Sequence, residues 1–402
     1  MSAIKTIELL YVYPDGTHAL NGIDFTAKRR ERVAILGSNG SGKTTLFYHF
    51  NGLYFPTKGE VLVNGEKITK KNIDEVRRIV GLVFQDPDTQ LFAPTVWNDI
   101  AYGPRNLGFS QNEIEQIVDE VLAILDIKSL KHKNPENLST GQKKLVAIAG
   151  VLAMDPEIIV MDEPTSGLDP KGSADIIGIL DELHSEGKTI IISTHNVDLA
   201  SSWADRIYVL HTGRICLQGK PRQIFENRSL IKKTQLKDPI IVQTWREFSA
   251  RGISDRENGV PLSILDLVDS IKLSEKSKTT KLGCINVIRI PRMIEGGSDA
   301  VDLPILLKYI QKVNPDQFGA VGTSAKMVAK KANINCDYEE DVIQSSILAA
   351  LNGLNTLILA TGGMADRVVQ KVTLNNLKNK RMVKCEIRSL SRSNFDLQKK
   401  AR

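Results

Sequence analysis

The chain has 402 residues, of which 42% are hydrophobic and 25% are charged, and its formal net charge is +6. This length exceeds what one hydrophobic core usually organises, and the composition is that of a globular protein, which excludes disordered and fibrous chains. The most apolar run, residues 151–161, contains charges and is shorter than the roughly 18 to 20 residues that cross a bilayer, so we predict no membrane span. The mild positive charge does not by itself indicate nucleic-acid binding.

The N-terminal segment favours the cytoplasm, and the cysteines are predicted to be reduced structural thiols. Residues 1–14 lack the long apolar core and the small-residue cleavage site of an export signal. The four cysteines, Cys216, Cys284, Cys336 and Cys385, lie far apart without a CxxC pair. This spacing favours reduced thiols over a disulfide framework or a zinc site.

The first third of the chain has the pattern of short β-strands, interrupted by one helix that begins after a glycine-rich loop. From residue 110 to residue 154 the apolar residues recur at helical spacing, which predicts a helical insert. Two later apolar strands flank a helical stretch, which implies a parallel, buried sheet that a hairpin at residues 206–219 closes. The predicted strands are residues 7–13, 22–28, 32–37, 59–65, 80–85, 158–163 and 189–195.

Shifts in composition divide the chain into five parts. Residues 1–220 form an α/β domain, residues 221–273 a helical extension, and the polar residues 274–283 a linker without a core-forming pattern. Residues 284–377 alternate strand and helix signals, which predicts a second, small α/β domain, and residues 378–402 form a basic tail.

The glycine-rich loop GSNGSGKT, residues 37–44, matches the GxxxxGK[ST] pattern of a phosphate-binding loop and lies between an apolar strand and a helix. Gly37, Gly40 and Gly42 allow successive backbone amides to turn toward a phosphate at the positive end of the helix. Lys43 supplies a positive charge for the β- and γ-phosphates. The loop therefore predicts a nucleoside triphosphate site.

The same loop supplies further candidates. The hydroxyl of Thr44 is a hard oxygen ligand for Mg²⁺, and Thr45 assists at the α-phosphate. The remaining candidates for phosphate contacts are Ser38, Asn39 and Ser41. The alternative, a glycine turn that only joins strand to helix, is disfavoured by the complete match in this context.

Two adjacent carboxylates, Asp162 and Glu163, end the apolar strand of the segment IIVMDEPTSGLD. Carboxylates at the end of a buried strand are costly unless they serve a cation or a reaction. Asp162 is therefore predicted to hold the Mg²⁺ shell, and Glu163 to polarise the attacking water. The alternative is an ordinary helix cap before Pro164, which the upstream glycine loop disfavours.

The segment LSTGQKK, residues 138–144, lies just upstream of these carboxylates, and with it the chain resembles the ABC ATPases. The resemblance implies a P-loop α/β fold with a parallel core sheet, an antiparallel β subdomain and a helical subdomain. In that family two such domains meet head to tail, and the signature helix of one caps the γ-phosphate bound by the other. The residues that match this role are Ser139, Gly141 and Gln142, while Thr140 replaces a usual glycine.

A helix N-terminus at this segment suits an anion, because its backbone amides are free. The alternative is a simple helix cap by Ser139 or Thr140, which would use the same amides. The two roles can coexist.

The resemblance assigns three further positions. Gln85 matches the Q-loop glutamine, Asp169 the D-loop aspartate, and His195 the switch histidine. A histidine at the end of a buried strand is otherwise more often a core residue. Tyr13 matches the aromatic residue that stacks on adenine, with Tyr11 as the rival and a core tyrosine as the alternative.

Three longer stretches, residues 13–20, 83–108 and 143–170, more specifically resemble the ATPase of energy-coupling-factor and cobalt or nickel importers. This resemblance implies ATP and Mg²⁺ as cofactors and a position at the cytoplasmic face of the cell membrane. It also implies three partners: a second ABC ATPase subunit, identical or a paralogue, an integral membrane scaffold, and a substrate-binding membrane subunit. Candidates for contact with the scaffold are Gln90, Leu91 and Phe92, for which ordinary packing is an equal alternative.

The leading functional hypothesis is therefore an ATPase that energises an importer of cobalt, nickel or a vitamin. A soluble ABC ATPase acting on nucleic acid or ribosomes is the alternative, although the chain shows neither a long coiled coil nor a second cassette. A regulatory module with a vestigial site is a third reading, which the intact motifs oppose. Beyond residue 282 no motif in the sequence indicates a family, and the separate core and the glycine turns of this region suggest a ligand sensor.

Overall fold

The computed structural model of the protein describes residues 1–227, 231, 234, 236–254, 259–271, 282–291, 301–338, 341–378 and 382–389. The predicted linker lies outside the described residues except at 282 and 283, and the predicted basic tail is described only at 378 and 382–389. The chain divides into two units. Unit 1 comprises Met1–Leu122, Ile127–Leu168 and Gly187–Lys272, and unit 2 comprises Ala123–Asp126, Asp169–Glu186 and Leu273–Arg402.

Unit 1 contains an antiparallel sheet with the strand order β2-β1-β4-β5. Strand β2 buries alternate residues, Ile23, Phe25 and Ala27, as expected of a sheet with one face on a core. The long strand β1 pairs with β2 on one side and with β4 on the other. The strands are β1 (Ser2–Val12), β2 (His18–Lys28), β4 (Lys58–Val63) and β5 (Glu66–Lys67).

A second sheet in unit 1 has six strands in the order β10-β9-β3-β8-β7-β6. All neighbouring pairs are parallel except β9 and β10, which form an antiparallel hairpin at one edge. The central strands are almost wholly buried runs of Val and Ile, as is typical of a sheet covered on both faces. The strands are β3 (Arg32–Leu36), β6 (Val80–Val83), β7 (Ile158–Asp162), β8 (Thr189–Thr194), β9 (Arg206–His211) and β10 (Arg214–Gly219).

Helices connect these strands and form a helical region before β7. The helices are α1 (Lys43–Phe50), α2 (Ile73–Ile79), α3 (Val96–Asn106), α4 (Gln111–Ile124), α5 (Thr140–Leu152), α6 (Pro170–Ser185), α7 (Val197–Trp203), α8 (Pro221–Glu226), α9 (Ile240–Ala250) and α10 (Ile264–Ser270). Within the described residues, none of the helices has both the length and the apolar character needed to cross a bilayer.

An aromatic cluster ties α1 to both sheets of unit 1. The ring of Phe25 on β2 lies 4.9 Å from Phe50 on α1 and 4.6 Å from Tyr208 on β9, measured between centroids. The Tyr208 hydroxyl also donates to the carbonyl oxygen of Thr26 at 2.7 Å. Each buried ring contributes roughly 1.5 to 3 kcal/mol by removal from water, so α1 is rigidly held.

Unit 2 contains a four-stranded sheet in the order β12-β13-β11-β14, and all its pairs are parallel. Helices follow the strands, and a core of Ile, Leu, Val and Ala side chains lies under them. The strands are β11 (Cys284–Ile290), β12 (Gln317–Val321), β13 (Thr356–Thr361) and β14 (Lys384–Ser389). The helices are α11 (Leu303–Val313), α12 (Thr323–Lys331), α13 (Val342–Leu351) and α14 (Met364–Lys378).

Helix α6 belongs to unit 2 by its contacts. The carboxylate of Glu182 accepts hydrogen bonds from the backbone N–H and the hydroxyl of Thr323, each at 3.0 Å, at the start of α12. Asp181 forms an ion pair with Arg367 on α14 at 2.6 Å. One face of α6 is therefore fixed by polar contacts within this unit.

The predicted strands all form, within a few residues of their expected bounds, and the hairpin at 206–219 is confirmed. The statement that one helix interrupts the first strands was wrong, because α2 also forms there. The helical region begins with α3, earlier than residue 110. Strand β14, which the basic composition of residues 378–402 did not predict, pairs with β11.

Candidate nucleotide site

The predicted phosphate-binding loop, residues 37–42, joins β3 to α1. Gly42 has a φ of +105°, which side chains rarely allow, and a Cβ there would lie 2.8 Å from the carbonyl oxygen of Ala19. A Cβ at Gly37 would lie 2.5 Å from the carbonyl oxygen of Leu210. Both positions therefore require glycine, as expected of a backbone that turns tightly at a helix N-terminus.

The side chains of the loop converge on its interior. Lys43 is 7% exposed, and its ammonium donates to the carbonyl oxygens of Gly37 at 2.9 Å and Ser38 at 3.2 Å. Its Nζ also lies 3.9 Å from Oε1 of Glu163. The buried hydroxyl of Ser41 has no hydrogen-bond partner among the described residues, as expected where a polar ligand binds.

Asp162 lies at the end of β7 and is 3% exposed. Its carboxylate accepts short hydrogen bonds from the hydroxyls of Thr44 and Ser193. Ser193 is its register partner on β8. Hydroxyl and carboxylate oxygens are ligands that Mg²⁺ prefers, so Thr44 and Asp162 present suitable oxygen donors side by side.

Glu163 follows directly, is 4% exposed, and has a φ of +47°. Its N–H donates to the hydroxyl of Ser193 at 3.0 Å, and its Oε2 lies 2.9 Å from Nδ1 of His195. Its other oxygen, Oε1, has no hydrogen-bond partner in the described part of the chain, although the ammonium of Lys43 is nearby. A buried carboxylate oxygen with unused capacity can accept a proton from water.

His195 lies just beyond β8, and its side chain is 65% exposed. This exposure excludes the core histidine that the sequence left open. The ring contacts the buried carboxylate of Glu163 on one side and solvent on the other. The hydrogen bond between His195 and Glu163 therefore joins an exposed ring to a buried carboxylate.

The segment predicted to be the signature forms the N-terminus of α5. Ser139 is the N-cap, and its hydroxyl accepts from the N–H of Gln142 at 3.3 Å, while the Gln142 side chain accepts from the N–H of Ser139 at 3.2 Å. This is a complete capping box. A Cβ at Gly141 would lie 3.3 Å from the side chain of Leu168, so space is also tight there.

Gln85 is exposed and lies at one edge of a cleft of about 420 Å³. The other residues of this cleft include Thr44, Thr140, Lys144 and Ser166. The phosphate loop, the predicted Q-loop, the signature and the turn after Glu163 therefore meet in one place. Asp169 instead caps α6, where its carboxylate accepts from the N–H of Gly172 at 2.7 Å.

The hydroxyl of Tyr13 lies 2.8 Å from that of Thr45, so its ring stands beside the first turn of α1. Tyr11 instead stacks on Tyr54, with centroids 5.2 Å apart, and packs edge-on against the buried His49. Tyr13 meets Tyr11 edge-on, with centroids 5.1 Å apart, so both rings belong to one aromatic cluster. The contact of the Tyr13 hydroxyl with Thr45, at the start of the helix that follows the phosphate loop, favours Tyr13 as the residue that contacts a base.

Gln90, Leu91 and Phe92 line a groove of about 570 Å³ in unit 1. The Gln90 amide is bonded within the protein, because its oxygen accepts from the N–H of Phe84 at 3.0 Å and its nitrogen donates to the carbonyl of Ala147 at 3.1 Å. Phe92 is 66% exposed. Of the three candidates, Phe92 is the one that offers an open apolar surface.

The groove presents further apolar surface around Phe92. The ring of Tyr102, 48% exposed, meets Phe92 edge-on at 4.8 Å, and Leu53 is 40% exposed nearby in the lining. The carboxylate of Asp99 accepts from the N–H groups of Phe92 and Ala93 and fixes this loop. Burial raises the pKa of Asp99, and the two N–H groups partly oppose this shift.

Sequence reasoning missed two residues of the site. Ser193 connects the backbone of Glu163 to the carboxylate of Asp162, and a polar residue within the buried strand TIIIST was the signal for it. Lys144 is buried beneath Glu163, with 2% exposure. Lys144 follows Lys143 in the sequence, and nothing in this pair of basic residues predicted that one of them is buried.

Two family models match the chain. The model described as ABC transporter matches residues 20–166, and a domain of unknown function (DUF7839) matches residues 279–379. The latter covers most of the sheet of unit 2.

Individual relatives agree with these matches. The chain is 39% identical over 397 residues to the energy-coupling factor transporter ATP-binding protein EcfA2 of Methanospirillum hungatei, and 96% of each chain is covered. The solved structure of cbiO1 from Clostridium perfringens, part of the ABC transporter complex cbiONQ, is 46% identical, has a TM-score of 0.52 and covers 58% of this chain and 94% of its own. A dimeric ATP-binding cassette in a post-hydrolysis state, bound to ADP and Pi, is 30% identical, has a TM-score of 0.51 and covers 55% of this chain and 99% of its own.

The likeness to the Methanospirillum hungatei protein extends over nearly the whole of both chains. Thr44 of the phosphate loop and Thr140 of the signature helix line one cleft, and the hydroxyl of Thr44 donates to the carboxylate of Asp162. This chain therefore belongs to the ATP-binding proteins of the ABC transporter family, which are ATPases.

Proposed function

We propose that this chain binds ATP with Mg²⁺ and hydrolyses it to energise an importer of the energy-coupling factor type, whose membrane subunits are other polypeptides. The observation that carries the proposal is the buried carboxylate of Glu163, which His195 holds through one oxygen while the other lies 3.9 Å from the ammonium of Lys43. Two of the similar proteins, an energy-coupling factor transporter ATP-binding protein and a part of an ABC transporter complex, support the role in transport.

The residues present fit Mg²⁺. The hydroxyl of Thr44 and the carboxylate of Asp162 are in hydrogen-bond contact, and both are hard oxygen donors. Gln85, which lines the same cleft, would add an amide oxygen. When bound, Mg²⁺ neutralises charge on the phosphates.

The chain's own residues account for the rest of the chemistry. The backbone amides of the loop and the ammonium of Lys43 hold the phosphates. Oε1 of Glu163 accepts a proton from the water whose oxygen attacks the γ-phosphorus, and the bond from that phosphorus to the β-γ bridging oxygen breaks. His195 keeps the carboxylate oriented during this step. The products are ADP and phosphate.

The site requires a second cassette, which is either another copy of this chain or a paralogue. The chain carries each motif once, and Ser139 at the N-terminus of α5 is exposed, so the backbone amides of this helix end are open to an anion that a second cassette carries. The solved structure of a dimeric ATP-binding cassette bound to ADP and Pi supports a pairing of two cassettes.

The groove around Phe92 is the proposed contact for a helix of the membrane scaffold. Phe92 and Tyr102 present an exposed aromatic pair, and Asp99 fixes the loop beneath it. Phe92→Ser should abolish co-purification with the membrane subunits. The matched control, Phe109→Ser, changes a phenylalanine that is 42% exposed outside the groove and should retain the partner.

We further propose that the assembly lies at the cytoplasmic face of the cell membrane and imports cobalt, nickel or a vitamin. Uptake of labelled cobalt, nickel and vitamins into vesicles that contain this chain and its membrane partners would identify the substrate. Turnover that rises with DNA or ribosomes, and not with the membrane subunits, would favour the soluble alternative.

The sheet of unit 2 is proposed to sense a ligand that tunes transport. It has its own core, and Gly322 and the pair Gly362 and Gly363 form turns where strands β12 and β13 end. Calorimetry on the full chain with Lys43→Ala, which removes the competing ATP site, would test metal ions and small metabolites. Absence of heat from both classes would contradict the sensor.

The ATPase itself is tested by phosphate release from the purified chain with ATP and Mg²⁺. The wild-type chain should turn over ATP, and Lys43→Ala should lose nucleotide binding. Equal binding by both proteins would contradict the assigned site.

A further inference from the structure

Lys144 is a buried lysine whose ammonium does not point at the phosphate loop. It lies in the second turn of α5 and is 2% exposed. Its ammonium donates to the carbonyl oxygen of Glu163 at 2.7 Å, to the carbonyl oxygen of Ser166 at 3.1 Å and to the Ser166 hydroxyl at 3.3 Å. A lysine ammonium has three donors, so all of them hold the turn that follows β7.

This turn needs an external support because of its backbone. Glu163 has a φ of +47°, in the left-handed region that costs a non-glycine residue roughly 1 kcal/mol or more. Its N–H is held by the hydroxyl of Ser193, and its carbonyl oxygen by Lys144. The peptide groups on both sides of the Glu163 side chain are therefore fixed, which aims the carboxylate at His195.

We infer that Lys144 is a positioning residue for Glu163 and that it couples the signature helix α5 to the hydrolytic carboxylate. The inference deepens and rests on the proposed function. In a head-to-tail dimer, α5 meets the nucleotide of the neighbouring cassette, whereas Glu163 acts on the nucleotide of its own chain. Lys144 is the direct side-chain link between them, so occupancy of one site reaches the base of the other.

The charge of Lys144 is costly at this buried position. Burial lowers the pKa of Lys144, and the carboxylates of Glu163 and Asp162 oppose that shift. Burying an ammonium costs several kcal/mol unless its partners compensate, and an apolar side chain would fill the same space. The free-energy cost of burying the ammonium is offset by its hydrogen bonds to the carbonyl oxygens of Glu163 and Ser166 and to the Ser166 hydroxyl.

The test compares Lys144→Met, which keeps the length of the side chain, with Lys144→Gln, which keeps two donors without charge, and Lys144→Arg, which keeps charge and donors. The control is Lys131→Met, which removes a surface ion pair with Asp119. The readouts are kcat, the Hill coefficient for ATP, the Kd of a fluorescent ATP analogue and the melting temperature.

The Met and Gln variants should lower kcat on the order of 10- to 100-fold, with the Kd for ATP within about threefold of wild type. The Hill coefficient should fall from above 1 in the wild type to near 1, because the link between sites is lost. Arg should retain most of the activity, and the Lys131 control should match the wild type. If the Met variant does not fold, the Gln variant tests the inference by the same changes in kcat, Kd and Hill coefficient.

Three results would overturn the inference alone: a kcat within about threefold of wild type, a joint loss of ATP affinity and thermal stability, or a Hill coefficient that equals that of the wild type. A Hill coefficient of 1 in the wild-type chain would also contradict the proposed coupling between the two sites. A wild-type chain that neither binds nor hydrolyses ATP would instead overturn the proposed function, and this inference with it.

Discussion

The imidazole of His195 and the carboxylate of Glu163 are joined by a 2.9 Å hydrogen bond between Nδ1 and Oε2. The two side chains differ sharply in environment, because the side chain of His195 is 65% exposed and that of Glu163 only 5%. A buried carboxylate is thus oriented by a ring that faces solvent. Because the His195 ring is exposed, a molecule that approaches the site can displace it from Glu163.

Replacement of His195 by alanine should lower kcat on the order of 10- to 100-fold, because Oε2 of Glu163 loses its partner and the carboxylate can turn away from the attacking water. The Kd for ATP should change little, since His195 does not contact the phosphate loop. Steady-state phosphate release and equilibrium nucleotide binding check both values. His132→Ala, at another exposed histidine, serves as the control, and equal losses in the two variants would contradict the assignment.

Tyr13 and Tyr11 can be distinguished by their effect on nucleotide affinity. Tyr13→Ala should weaken ATP binding by roughly 5- to 10-fold, because a stacked ring contributes about 1 kcal/mol or more. Tyr13→Phe, which loses only the bond to Thr45, should bind nearly as well as wild type. Tyr11→Ala should lower the melting temperature because it disrupts the stack on Tyr54. A larger loss of affinity in Tyr11→Ala than in Tyr13→Ala would reverse the assignment.

His49 should make stability depend on acid pH. Its Nδ1 lies 2.7 Å from the carbonyl oxygen of Thr45, an acceptor, so Nδ1 carries the hydrogen, and burial lowers its pKa from 6.5 to about 4. The folded pKa is depressed, so the unfolded chain takes up the proton first as pH falls. Stability is therefore full above about pH 6.5 and is lost toward about pH 4, by roughly 3 kcal/mol.

Urea unfolding at several pH values between these limits measures this effect. His49→Leu should be less stable at neutral pH, because the bond to Thr45 is lost, and its stability should fall less steeply with acid. Carboxylates contribute to both proteins and cancel in the difference. Parallel curves for wild type and variant would show that His49 is not the group responsible.

The ion pair between Asp181 and Arg367 should stabilise α6 within unit 2. Both side chains are largely buried, 16% and 20% exposed, and their charged atoms lie 2.6 Å apart. Arg367→Glu should lower the local opening free energy by roughly 1 to 2 kcal/mol, because two carboxylates then face each other. Amide hydrogen exchange in α6 measures this change, and the double variant with Asp181→Arg should recover protection. Unchanged exchange in the single variant would contradict the contact.

The phosphate loop could be predicted from sequence because its chemistry depends on the backbone. Glycines at Gly37 and Gly42 are required by close approach and by a positive φ, and both constraints restrict the residue type directly. Adjacent carboxylates after a wholly apolar strand were equally informative. The resemblance to the ABC ATPases then assigned roles to the weaker motifs at Gln85, Asp169 and His195.

The features that the sequence did not predict depend on tertiary contacts or on elements too short to show a pattern. Helix α3 contains Gly103 and Pro104, which usually mark turns, yet it forms because it packs against α5. Helix α2 is too short to show a periodic pattern, since only Val76 in it is buried. The support that Lys144 gives to Glu163 depends on two segments that meet only in the folded chain.

ATP turnover and ATP binding in the presence of Mg²⁺, compared between the wild-type chain and Glu163→Gln, test the role of Glu163. Glutamine keeps the shape of the side chain but cannot accept the proton of the attacking water. We predict that turnover falls on the order of 100- to 10,000-fold while ATP remains bound. Unchanged turnover in this variant would contradict the central claim that Glu163 is the base of an ATPase.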